Sequence, residues 1–162
     1  MTVNTRNISL VRRLYEEALN QARYVEVVDE VVAGDVVTHN ASGEDSAHRE
    51  HVTNTMRALH TAFSDLVFTI DDMIEQGDRI AVRWHMTGRH TGPFAGRPPS
   101  GRIVTQCAIV IVIYRIADHK VVEVWPLTDR FGLVQQLGDA PLSPHAAASD
   151  GKESTASPVV AL

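Results

Sequence analysis

Up to Phe63 the apolar positions recur at helical spacing. Ile8, Val11, Leu14 or Tyr15, Ala18 and Leu19 form one stripe, with Arg12, Arg13, Glu16 and Glu17 opposite. This predicts a helix from Asn7 to Asn20, and Asn7 or Ser9 can cap its start. A second stripe, Tyr24, Val27, Val28 and Val31, predicts a short helix ending near Gly34. After a loop from Asn40 to Ser46, His48, Val52, Met56, Leu59 and Phe63 mark the apolar face of a third helix.

Beyond Phe63 the period changes. Leu66 to Glu75 and Arg79 to Gly88 read as strands joined around Gln76-Gly77-Asp78, a hairpin turn. Arg89 to Gly101 holds three Gly and three Pro and reads as a loop. Arg102 to Ile116 is the longest strand candidate, and Ala117 to Lys120 turns it into Val121 to Asp129. Three helices followed by an antiparallel meander make an α+β domain. The Arg102 to Ile116 strand is apolar on both faces: Ile103, Cys107, Ile109, Ile111 and Ile113 on one, Val104, Ala108, Val110, Val112 and Tyr114 on the other. A strand with one wet face alternates, so both faces need covers. Helices supply one cover and a second subunit the other, which predicts a homo-oligomer.

Composition narrows the class. The 162 residues suffice for one domain with a single core, and 44% hydrophobic with 22% charged residues is ordinary globular usage. A net charge of -5 without a basic block argues against nucleic acid as a partner. Cys107 is the only cysteine, so an internal disulfide and a cysteine-based zinc site are excluded. Met1 to Ser9 is polar, and the longest apolar run, Cys107 to Tyr114, is far too short to span a bilayer. A soluble cytoplasmic protein with no membrane contact is expected. Residues 139 to 162, rich in Ala, Ser and Pro, read as a flexible tail behind a domain of residues 1 to 138.

The chemistry concentrates at the end of Val121 to Asp129. There an apolar strand ends in a carboxylate just before a short amphipathic helix, Phe131 to Leu137. Asp129 suits two jobs. It can cap that helix by accepting backbone N–H bonds. In a dry site it can instead serve as an acid or base, since lost hydration raises a carboxylate toward the catalytic range. Eight histidines offer other options. His39, beside Asn40 at a helix-to-loop junction, can point into a cavity. His48 and His51 lie three apart, but no third ligand stands at a recognised spacing, so no metal site is assigned. Cys107 inside an apolar strand is an inert thiol, and Gly92 to Gly96 lacks phosphate and dinucleotide fingerprints.

Several segments in order resemble the SnoaL-like polyketide cyclases of the nuclear transport factor 2-like superfamily. They are the Asn7 to Asn20 helix, Phe63-Ser-Asp-Leu66, and Gly77-Asp-Arg-Ile-Ala-Val-Arg-Trp84. Most specific is Thr87-Gly-Arg-His-Thr-Gly-Pro-Phe-Ala-Gly-Arg-Pro-Pro-Ser-Gly101. Tyr114-Arg-Ile, Val122-Glu-Val-Trp125, Asp129 and Gln135-Gln-Leu-Gly138 complete the series over residues 7 to 138. The resemblance implies a curved antiparallel sheet wrapped around the N-terminal helices as a cone-shaped α+β barrel. It also implies aldol-type ring closure on a polyketide in antibiotic biosynthesis, without metal or organic cofactor.

By the same resemblance Asp129, following the Glu-x-Trp motif, is the general acid/base. Taking a proton next to a carbonyl asks that a carboxylate rise from about 4 toward about 6–7, roughly 3–4 kcal/mol of differential interaction. The enolate oxygen then needs a donor, for which His39, Tyr15, Gln106 and Trp125 are the candidates. Trp84, Phe94 or Trp125 can stack on a flat substrate, and His90 sits in the loop beside it. Two departures stand out: the family's Gly-Thr-His reads Gly88-Arg89-His90, and Cys107 to Tyr114 is unusually apolar. The first adds a charge beside the loop at the pocket mouth; the second points to a greasier substrate, such as a linear polyene or polyether-type chain. Such a chain can also close by a pericyclic route in a cavity that simply holds its ends together. Epoxide opening, hydroxylation and plain binding of a small molecule occur on the same fold.

Overall fold

A computed structural model describes residues 5–40, 43, 45–106 and 111–138. Helix α1 (Thr5–Arg13) runs on through a π-helical turn (Leu14–Leu19). After α2 (Tyr24–Val31) the chain passes straight into strand β1 (Val32–Thr38), then β2 (Ser46–Ala47) and α3 (Arg49–Ala62). The long hairpin β3 (Phe63–Gln76) and β4 (Arg79–His90) follows. Then come β5 (Ile103–Gln106), β6 (Ile111–Ala117), β7 (Lys120–Leu127) and α4 (Arg130–Gln136).

The strands form one sheet ordered β2-β1-β7-β6-β4-β3, with β5 also on β4. β5 pairs with the second half of β4 and β6 with the first. Cys107 to Val110 and the tail from 139 onward lie outside the described residues. The result is a mixed α+β fold with a curved, unclosed sheet and four helices among the described residues.

Alternation builds the sheet. Along β4 Ile80, Val82, Trp84, Met86 and His90 are buried, while Arg79, Arg83 and Arg89 are exposed. The inner row meets Val11, Leu14, Val27, Val28, Met56 and Leu59 from the helices in one core. Turn chemistry fits the hairpins: Gly77 has φ +63° between β3 and β4, and Asp118 and His119 (φ +48° and +60°) make the tight β6–β7 turn.

Two expectations need correction. The second helix does not reach Gly34; it stops at Val31, and Val32 is already extended (φ -109°, ψ 137°). Valines satisfy either conformation, and packing against β7 selects the strand. The sheet is also not purely antiparallel, because β1 runs parallel to β7 (Val32 beside Val121, Thr38 beside Val124). His39 therefore follows a strand rather than a helix.

Candidate active site

The helices and the sheet enclose an apolar cavity of about 40 Å³. The π-helical turn contributes Leu14 and α3 contributes His51, Val52, Thr55 and Met56. Val32 and Thr38 come from β1, Val112 and Tyr114 from β6, and Val121, Val124 and Pro126 from β7. No Asp, Glu, Lys or Arg lines it among the described residues. The space is narrower than a polyketide, so access of such a ligand requires the walls to part.

Four polar side chains, Thr38, His51, Thr55 and Tyr114, interrupt the hydrocarbon. The Tyr114 hydroxyl lies 2.8 Å from that of Tyr15, and burial holds both phenols protonated, well above their usual range. Thr38 Oγ1 and His51 Nε2 are buried without a hydrogen-bond partner among the described residues. Burial also pushes the His51 imidazole down, which favours its neutral form.

The residues singled out in the sequence fall into separate groups. Tyr15 and Trp84 are buried together outside the cavity lining, ring centroids 6.2 Å apart. His90 is fully buried, and its Nδ1 accepts the Ser100 backbone N–H (3.1 Å), which leaves the ring hydrogen on Nε2. Its ring lies 5.5 Å from Phe63, which Phe94 meets edge-on at 5.1 Å. His90 and Phe94 thus seat the loop after β4 rather than line the cavity. His39 stacks on Trp125 (4.8 Å, 12°) and its Nδ1 bonds Asp45 (2.9 Å), while Arg79 sits 5.2 Å over the Trp125 ring. Since Thr38, Val124 and Pro126 face the cavity, alternation puts His39 and Trp125 on the opposite side of the sheet.

Asp129 follows the end of β7 and is exposed. Its carboxylate stands at the surface, in the capping role of the two that the sequence left open. Its Oδ1 accepts the Gly132 backbone N–H at 2.8 Å, so it caps α4. Two glutamines hold this element to β5. Gln106 Nε2 donates to the Asp129 main-chain carbonyl (3.2 Å), and the Gln136 amide exchanges two 2.8 Å bonds with the Thr105 backbone. The glutamines fix the carboxylate at the lip of the sheet, one strand end from Pro126.

Thr38, His51 and Tyr114 were not picked out as cavity groups from sequence. A signal existed for one: His51 and Thr55 lie four apart beside the Val52–Met56–Leu59 stripe, on a wider inward face. His48 precedes α3 with φ +147°, so the two histidines do not share a helical turn. Among the described residues no three His, Cys, Asp or Glu side chains are grouped to hold a metal ion.

Comparison with known proteins agrees with this architecture. The profile of the SnoaL-like polyketide cyclase family matches residues 9–137, and the chain belongs to that family. Among solved structures, a candidate SnoaL-like polyketide cyclase from Jannaschia sp. CCS1 is 24% identical, with TM-score 0.74 over 87% of this chain and 97% of that one. IdmH, a candidate polyketide cyclase from Streptomyces antibioticus, is 28% identical over 82% of this chain and 99% of its own, with TM-score 0.69. AclR, a candidate hydroxylase from Streptomyces galilaeus, is 25% identical over 88% and 87%, with TM-score 0.75. No curated protein matches. No helix among the described residues is long and apolar enough to cross a membrane.

Proposed function

We propose that this protein closes a carbon ring on a polyketide held in the apolar cavity, without metal or organic cofactor, as a cytoplasmic step in antibiotic biosynthesis. Family membership supports the reaction class. The observation that carries the substrate assignment is a cavity walled by aliphatic side chains with no charged group on its lining. It suits an uncharged, hydrocarbon-rich chain better than an acid or a phosphate ester.

In the aldol form, Asp129 takes a proton from the carbon next to a carbonyl. The C–H electrons form an enolate, whose carbon attacks a second carbonyl of the same chain. Asp129 then returns the proton to the new alkoxide. Oδ1 is engaged by Gly132, while Oδ2 makes no hydrogen bond among the described residues and remains for substrate. A ligand reaching from the cavity over Pro126 would cover the carboxylate and strip its water. One observation favours a second reading: Asp129 is exposed and serves as a helix cap. In that case the cavity only folds a linear chain for a pericyclic closure, and the rate comes from confinement. AclR carries the name of another chemistry on a similar fold, so Asp129 must be tested directly.

Both forms need the cavity. Val52 is partly buried on α3 and lines it, so Val52→Trp should fill the space with a ring. Conversion of the linear polyketide precursor, followed by chromatography of the cyclised product, should fall about a hundredfold, while overpacking lowers the melting temperature by only about 3–10 °C and the chain stays folded. Wild-type turnover in that variant would rule this cavity out as the reaction site.

A second copy of the chain is proposed as the cover for the outer face of the sheet. Register aligns Ile74, Ala81, Ile113 and Trp125 in one row, with Ile111 beside Leu127 in a neighbouring row. Ile74 and Leu127 are exposed by 68% and 55%. Contiguous apolar exposure of this kind marks an interface. Wild-type protein should sediment as a dimer or larger, and Ile113→Glu should shift it to monomer. A wild-type monomer would end the idea.

A further inference from the structure

The cavity wall contains two atoms that folding does not explain. Thr38 is 4% exposed, and its Oγ1 has no partner among the described residues; His51 Nε2, on the facing helix α3, is in the same position. A buried polar atom left unpaired forfeits its hydration with nothing in return, and most buried side-chain polar atoms avoid that cost by hydrogen bonding. Valine at position 38 would fill the same shape without it. Both orphans line one cavity whose remaining wall is largely aliphatic, between β1 and α3.

We propose that Thr38 and His51 form a hydrogen-bonding subsite for a single neutral oxygen function, a ketone or an alcohol, on an otherwise hydrocarbon ligand. This rests on the reading that the cavity is the ligand site. The chemistry of the pair sets the class. A threonine hydroxyl both donates and accepts. The neutral form of imidazole, favoured here by burial, presents at Nε2 either a hydrogen or a lone pair. Together they can give two hydrogens to a carbonyl, or donate to and accept from a hydroxyl. A carboxylate or an amine would find no countercharge on the lining. The Tyr114 hydroxyl, from β6, adds a further polar point on the lining. Whichever of the two hydroxyls donates in the Tyr15–Tyr114 bond, the Tyr114 oxygen keeps a hydrogen or a lone pair for the cavity. The subsite thus fixes one oxygenated carbon of the chain while the aliphatic wall holds the rest, and this selects which segment is presented for closure.

The test uses small probes on the full chain. Cyclohexanone and methylenecyclohexane share a shape and differ in the oxygen; both are titrated by ligand-observed NMR. Wild-type protein should bind the ketone about tenfold more tightly, as one net hydrogen bond of about 1.4 kcal/mol requires. Thr38→Val and His51→Leu should each cut that preference below about threefold and leave methylenecyclohexane binding and folding intact, while His51→Gln should retain most of it. Equal binding of the two probes by wild type, as when the pair serves only a structural water, overturns the subsite and leaves the cavity standing. A preference unchanged in both variants overturns it as well. Failure of both probes to bind removes the cavity reading and the subsite with it.

Discussion

Asparagine in place of Asp129 should lower ring closure about a hundredfold or more, in the range of a lost general acid/base, and leave the fold intact. The geometry makes this substitution unusually clean. Asp129 caps α4 through one oxygen, Oδ1, which accepts the Gly132 N–H at 2.8 Å. Asparagine offers the same acceptor and caps a helix about as well, so stability is preserved while the proton carrier is lost. Alanine removes both functions and should also cost about 0.5–2 kcal/mol of helix stability. Gly132→Ala works from the other side: its Cβ would lie 2.2 Å from Asp129 Oδ2 and force the carboxylate out of the cap. Turnover of the linear precursor and calorimetric melting, measured side by side on these variants, separate cap from catalyst. Full activity in Asp129→Asn would retire proton transfer and leave closure by confinement.

The largest stability loss is expected at Gly92. An alanine Cβ there would stand 2.1 Å from the Thr61 carbonyl oxygen and 3.2 Å from Ala62 Cα. Both obstacles are backbone at the end of α3, so no side chain can swing aside. The same carbonyl region is committed, because Thr91 and Gly92 both donate N–H bonds of 2.9 Å to the Ala62 oxygen. Gly92→Ala should therefore cost on the order of 3 kcal/mol and lower the melting temperature by about 10 °C. Gly96→Ala in the same loop, where a Cβ would meet nothing within 4 Å but φ is +73°, carries only the conformational cost of about 1 kcal/mol. A Gly92→Ala melting point within about 2 °C of wild type would mean that the loop is not seated against α3 as described.

Much of the fold was legible because local and tertiary preferences agree. The alternation of β4 and the glycine of its turn fix the long hairpin, and the stripes of α1 and α3 fix their inward faces. β1 was hidden because Val27 to Val37 suits helix and strand equally and no glycine or proline loop marks the joint at Val32. Only its parallel partner, distant in sequence, decides. The site was less legible for a related reason. Alternation along β7 tells that Trp125 and Pro126 point opposite ways, yet parity alone does not say which way is in. Hence His39 and Trp125 are each expected as pocket groups from sequence, while they stack on each other across the sheet and Thr38, one residue earlier, lines the cavity. The ambiguity at Asp129 is chemical rather than positional: a carboxylate before a helix is suited both to capping it and to proton transfer, and of the two the structure displays the cap.

The parallel pairing of β1 with β7 also imposes an order of assembly. Thr38 meets its neighbour Val124 only when a strand made late in synthesis arrives. Until then Val32, Thr38 and the inner face of α3 have no opposite wall, and the helices leave the ribosome with their apolar sides uncovered. The apolar cavity thus closes only when β7 brings Val121, Val124 and Pro126 to its wall, and a chain cut before β7 would lack that wall.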